Sequence, residues 1–345
     1  MGANSAPPVV ELTRERMHPR GGCAAKLAAV ELGELLADAY ERVFGGSAVH
    51  PMVQPTDCAV LPLDGGGQLL TTVDLAPLVG LDLRRAGRIA ALNALSDIYA
   101  VGGVGRWALV LLVLGPGLDR TESTEIMVGL LEACKADGVH VVGGHTLRGE
   151  ESLAGLAAFG LPRSDRLLSK NGARPGDRLL ISKPIGAGLV IRAFKLAVTG
   201  RDALDEAIAL MTQSSEAASR AALDAQARAA TDVSGFGLLG HLTEMLGDGL
   251  GARVSLKAVP TIGSLATVPV DAAHSAFVHA NRDYVLARRP LTGITEFARL
   301  APLVAPETNG GLLVVADGAG TDRLIESGFS DIGAVTDAAA IEIVE

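Results

Sequence analysis

The chain has 345 residues, 48% of them hydrophobic and only 3% aromatic, with 42 glycines and a formal net charge of -9. That length suits two domains, each with a core built from Ala, Val and Leu, and the composition leaves little room for disorder. The acidic balance argues against a general nucleic-acid or membrane-surface binder. Cys23, Cys58 and Cys134 are too widely spaced for a disulfide framework or a structural zinc site.

No stretch reads as a signal peptide or a membrane span, so a cytoplasmic protein is expected. Residues 1–48 read as a mobile N-terminal segment and a helix, 49–162 as one domain and 163–345 as a second. The first segment carries Gly21-Gly22-Cys23-Ala24-Ala25-Lys26 ahead of a helical pattern from Leu27 to Tyr40. A cysteine in a glycine-rich loop near a lysine is a candidate nucleophile or soft ligand, the alternative being a small apolar residue at a helix start.

Strand patterns at Cys58–Leu63 and Gln68–Val73 flank Asp64-Gly65-Gly66-Gly67, the signature of a hairpin. A two-residue Gly65-Gly66 turn would set Asp57 directly across from Asp74. Two opposed carboxylates repel, and a divalent cation would remove that penalty.

From Ile89 to Gly103 the spacing predicts a helix. Leu92, Leu95, Ile98 and Tyr99 fall on one side of it, and Asn93, Ser96 and Asp97 form a polar strip opposite. Small residues flank that strip and would let a ligand approach, although a partly exposed helix with one solvated aspartate fits equally well.

Further on, Trp107–Leu114 reads as a buried strand, Glu122–Ala136 as an amphipathic helix and Val139–Val142 as a strand. The last ends in Gly143-Gly144-His145-Thr146, a double glycine that could present N–H groups to an anion or simply turn. Leu153–Leu161 closes this half, in an α+β order. The turn-rich Pro162–Asp177 marks the boundary.

The second half opens with a strand at Arg178–Ser182, then helices over 189–198, 202–211 and 214–228. Thr231-Asp232-Val233-Ser234-Gly235-Phe236-Gly237-Leu238-Leu239-Gly240-His241 contains a GxGxxG match. The next strand ends in Lys257 and offers no acid for a ribose, so the match reads as a glycine-rich helix entry. Leu312–Ala316, a helix and a final strand end the chain. No Walker A, GxSxG, HExxH or EF-hand sequence is present.

Taken in order, Asp57-Cys58-Ala59-Val60, Thr72-Val73-Asp74, Asn93 to Ala100, Gly143-Gly144-His145 and Thr231 to His241 resemble the motifs of the selenophosphate synthetase (selenide, water dikinase) family. That family lies within the aminoimidazole-ribonucleotide-synthetase-like superfamily. The resemblance implies two α/β halves, with the N-terminal sheets pairing in a homodimer. It also implies ATP-dependent conversion of selenide and water to selenophosphate, with release of AMP and phosphate. Asp57, Asp97 and Asp232 match the family's magnesium ligands, Asp74 its ATP/metal carboxylate, and Cys23 and Lys26 its catalytic pair. Lys26 would also contact phosphate, and Asn93, Gly143, Gly144 and His145 would contact the nucleotide.

A need for potassium is left open. The chain departs from the family at Ala24-Ala25, at Gln213-Ser214-Ser215, at Val278-His279-Ala280 and at Asn309. Another ATP-using reaction of the superfamily, either phosphorylation of a small metabolite or amidine ring closure, and a non-catalytic ATP-binding relative are the competing readings.

Overall fold

The computed structural model describes residues 10–17, 22–25, 29–45 and 56–345. It is α+β: two mixed halves, each with its own sheet. After the helix α1 (Ala29–Phe44), the strands β1 (Ala59–Pro62) and β2 (Gln68–Pro77) form the expected hairpin, but in another register. Ala59 faces Thr71 and Pro62 faces Gln68, and the Leu63 N–H reaches the Gly67 carbonyl. The turn therefore holds three residues, Asp64-Gly65-Gly66, a length made accessible by positive φ at Gly65, Gly66 and Gly67.

Continued outward, this register sets position 57 against Val73, not Asp74. One residue of slip moves a side chain to the other face of a strand. The expected cross-strand clash of Asp57 and Asp74 is thus absent.

The helix α2 (Leu83–Ala100) starts where the Asp82 carboxylate accepts the Arg85 N–H, and ends before Gly102 at φ +79°. Its Leu92, Leu95, Ile98 and Tyr99 enter the N-terminal core, as their spacing predicts. Asn93 and Ser96 are buried too, because the polar strip faces the second half of the molecule and not solvent. The strand β3 (Gly103–Leu114) leads to α3 (Arg120–Ala136), which opens on a capping box of Asp119 and Glu122. The helices α2 and α3 touch through glycines. A Cβ on Gly87 would lie 2.1 Å from the Ile126 carbonyl oxygen, and one on Gly129 would lie 1.8 Å from that of Arg84.

The strands β4 (His140–Arg148) and β5 (Leu153–Pro162) complete a sheet of order β1-β2-β5-β3-β4. Gly143-Gly144 therefore lies within a strand, not at its end, which corrects the expected turn. The apolar run of β3 continues to Leu114 and offers β4 a parallel partner throughout, and one extra residue at Val142 is absorbed as a bulge. The face of this sheet away from α2 carries exposed Val73, Leu75 and Trp107.

The second half runs β6 (Arg178–Ile181), α4 (Ala187–Lys195), α5 (Arg201–Met211), α6 (Glu216–Asp224), β7 (Ala229–Asp232), α7 (Gly237–Met245) and β8 (Gly251–Ser255). It continues with α8 (Val270–Ala273), α9 (Ala276–Leu286), β9 (Leu291–Gly293), α10 (Phe297–Val304), β10 (Leu312–Ala316) and α11 (Gly318–Glu326). It closes on two strands, β11 (Ser330–Thr336) and β12 (Ile341–Val344), where one was expected. The sheet order is β7-β10-β6-β11-β8-β12-β9. Ile89 of α2 packs with Val190, Leu204 and Ile208 of α4 and α5, so apolar contact seals the halves together. Among the described residues no helix is long and apolar enough to cross a membrane.

Candidate active site

The site forms where α2 meets the second half. Gly22, at φ +63°, lets the N-terminal segment approach the loop before β10, since a Cβ there would sit 2.2 Å from the Thr308 hydroxyl. The Cys23 N–H donates to that hydroxyl at 3.1 Å, and Sγ donates to Asn93 Oδ1 at 3.3 Å. Cys23 is fully buried, so its thiol is not presented to solvent. Lys26 lies outside the described residues.

Asn93 is the hub. Its amide nitrogen donates to Asp74 Oδ2, and its Oδ1 also accepts the Asn309 N–H at 2.7 Å. Asn309 is held at φ +49° by its own amide, which donates to the carbonyls of Met211 and Gln213. Lys183 Nζ donates to the Gln213 and Asn309 carbonyls at 2.8 and 3.0 Å. Burial pulls the Lys183 amine down to about 8, against the opposing charges of Asp232 and Asp137.

Around this hub stand the three remaining aspartates. Asp97 accepts the Thr72 hydroxyl at 2.6 Å, and Asp232, at the end of β7, accepts the Ser96 hydroxyl at 2.7 Å. Asp57 Oδ1 accepts from Thr231 at 2.9 Å and pairs with Lys170 Nζ at 2.7 Å. Cys58 registers two of them at once: burial, then the charges of Asp97 and Asp57, push its thiol up to about 12. Asp57 is itself held above the usual carboxylate range, first by burial and then by Asp232, against the pull of Lys170.

The donor set suits a hard cation of the magnesium kind. Asp57 Oδ2 is buried and has no hydrogen-bond partner, which is costly for a carboxylate oxygen. Among the described residues no three His, Cys, Asp or Glu side chains are gathered closely enough to enclose a metal. Magnesium asks for less, since it is bound through one or two carboxylates together with waters and substrate phosphates.

Gly143, Gly144 and His145 stand apart, on the outer strand β4 with β3 and β5 between them and β2. Two groups at the site carried no signal in the sequence, Lys170 and Glu244, and the quoted motifs around Thr72 and Thr231 did not say which aspartate each hydroxyl would meet. A lysine in a turn-rich linker, or a threonine in a strand, has no local pattern that marks its partner.

Two family models match the chain, the AIR synthase related protein N-terminal domain over residues 55–161 and the C-terminal domain over 174–344. A selenide, water dikinase of Geobacter metallireducens is 39% identical over 302 residues, covering 85% of this chain and 86% of the relative. One from Trichlorobacter lovleyi is 35% identical over 303 residues, covering 85% of each. Among solved structures, thiamine monophosphate kinase from Aquifex aeolicus matches with a TM-score of 0.60 at 18% identity, over 92% of this chain and 98% of that one. The last shares the fold.

Proposed function

The chain belongs to the selenide, water dikinase family, and from that premise we propose that it makes selenophosphate from selenide, water and ATP, releasing AMP and phosphate. The observation that carries the reading is Cys23 seated on Asn93, one helical turn from Asp97, so that a soft nucleophile lies beside hard carboxylates. The first suits a selenium species, and the carboxylates suit the hard cation that a triphosphate requires.

In this reading Asp57, Asp97 and Asp232 hold magnesium, which when bound screens the triphosphate and polarises its phosphoryl oxygens. Asp74 and Asn93 orient the nucleotide, with Lys26 at the phosphates and Gly143, Gly144 and His145 as further contacts. Cys23 handles the selenium species. Its burial under Thr308 and Asn93 supports a site that excludes water from one phosphoryl transfer and must open to admit it for the other. The apolar face bearing Val73, Leu75 and Trp107 supports a homodimer formed sheet against sheet. A cytoplasmic setting keeps the thiol reduced.

The experiment is phosphorus NMR of the products formed from ATP, magnesium and selenide. Selenophosphate with AMP is the expected result. ADP in place of AMP would point to another reaction of the superfamily, and ATP binding without turnover to a non-catalytic relative.

A further inference from the structure

We propose that Lys170 is a positioning residue for Asp57, a fixed counter-ion that occupies one carboxylate oxygen, leaves the other for the cation and thereby limits how tightly the site holds magnesium. The inference rests on the reading of Asp57 as a magnesium ligand.

Lys170 comes from the linker between the halves, and its side chain is only 6% exposed. Its Nζ lies 2.7 Å from Asp57 Oδ1 and 2.9 Å from Glu244 Oε2. Glu244 cannot swing away, because Tyr284 donates to its other oxygen at 2.9 Å and His241 Nδ1 stands 3.5 Å from Oε2. The ammonium is therefore clamped from behind by the second half of the molecule and aimed at one oxygen of Asp57. Thr231 donates to that same oxygen, so Oδ1 is fully used. Oδ2 is the buried atom left without a partner.

Two physical consequences follow from this geometry. The carboxylate cannot rotate, which makes it a one-oxygen ligand of defined direction. A positive charge 2.7 Å from it also opposes any cation arriving on the other side, and that opposition is large where water is excluded. Among the ion pairs of the described residues, Lys170 is the cation that meets Asp57.

The test is thermal denaturation of the full chain across a magnesium chloride series, alone and with a non-hydrolysable ATP analogue. Lys170→Met should melt lower than wild type without magnesium. Its melting temperature should rise with magnesium at a concentration at least tenfold below that required by wild type. Lys170→Arg keeps the charge and should keep the wild-type midpoint. If Lys170→Met folds poorly, the double variant Lys170→Met/Glu244→Gln removes one charge of each sign. It should still show a midpoint below wild type, because the cation nearest Asp57 is gone. A lower melting temperature with an equal or higher magnesium midpoint would overturn the proposal and leave Lys170 a structural ion pair, with the metal reading intact. No magnesium response in wild type under either condition would take down the metal reading and this inference with it.

Discussion

Asn93 on α2 and Asn309 on the loop before β10 are joined across the two halves by a 2.7 Å hydrogen bond from the Asn309 N–H to the Asn93 side-chain oxygen. The same oxygen accepts from Cys23, so a single amide holds the N-terminal segment and the second half together. Asn93→Ala would leave a buried N–H unpaired and release the thiol. We expect a stability loss of about 1–3 kcal/mol, and faster alkylation of Cys23 than in wild type. Urea unfolding and mapping of the labelled cysteine by mass spectrometry check both. An unchanged labelling rate would mean that Thr308 alone seats the segment.

Asp57→Asn, Asp97→Asn and Asp232→Asn should each abolish magnesium-dependent ATP turnover, but their stabilities should separate. Asp57→Asn breaks a buried ion pair by removing one partner, a change that costs about 3–5 kcal/mol where no other partner remains. Glu244 still holds Lys170, so the lower end applies. Asp97→Asn keeps an oxygen for the Thr72 hydroxyl and should cost under about 1 kcal/mol. Full activity in any of the three would remove that residue from the site.

Cys23→Ser should preserve folding and ATP binding and lose selenophosphate formation, because a hydroxyl stays protonated and hard where a polarisable sulfur is needed. Serine can still donate to Asn93, so the segment should remain seated. Yields measured side by side under identical ATP and selenide decide the matter, and equal yields would make Cys23 a packing residue. In the folded protein Cys23, Cys58 and Cys134 are all buried, so all three should label slowly.

The double glycine in β4 divides into two cases. A Cβ on Gly144 would meet the Val110 carbonyl oxygen at 2.3 Å, whereas one on Gly143 would meet only the end of the Leu109 side chain at 3.3 Å. Gly144→Ala should therefore destabilise the sheet whatever its role in binding. Gly143→Ala should fold normally, and any weakening of ATP affinity in it, read by calorimetry, reports direct contact with the nucleotide. Unaltered affinity would take Gly143 out of the nucleotide site.

Glu307 supplies a pH signature. Burial pushes its carboxyl up to about 7 from 4.5, against the N–H groups of Gly186, Ala187 and Gly188. Between those values the unfolded chain releases a proton that the folded chain keeps. The stability from this group is full below about 4.5 and is lost as the pH rises through about 7. Glu307→Gln cannot ionise and should flatten that decline in urea midpoints. A slope equal to wild type would assign the pH dependence to other groups.

Chain-local patterns determined a good deal on their own. The spacing of Leu92, Leu95, Ile98 and Tyr99 announced α2 and the side it turns to the N-terminal core, because helical period is a property of neighbours. The blocks from Asn93 to Ala100 and from Thr231 to His241 carried the family, and with it the activity and the candidate aspartates. Tertiary structure alone decided the rest. Three glycines with positive φ gave the hairpin a three-residue turn and parted Asp57 from Asp74. The long apolar run of β3 drew Gly143-Gly144 into a strand, Thr308 and Asn93 buried Cys23, and Lys170 found Asp57. The hairpin turn apart, each of these is a pairing of residues far apart in the chain. Steric fit and charge select such partners only once the core has brought them together.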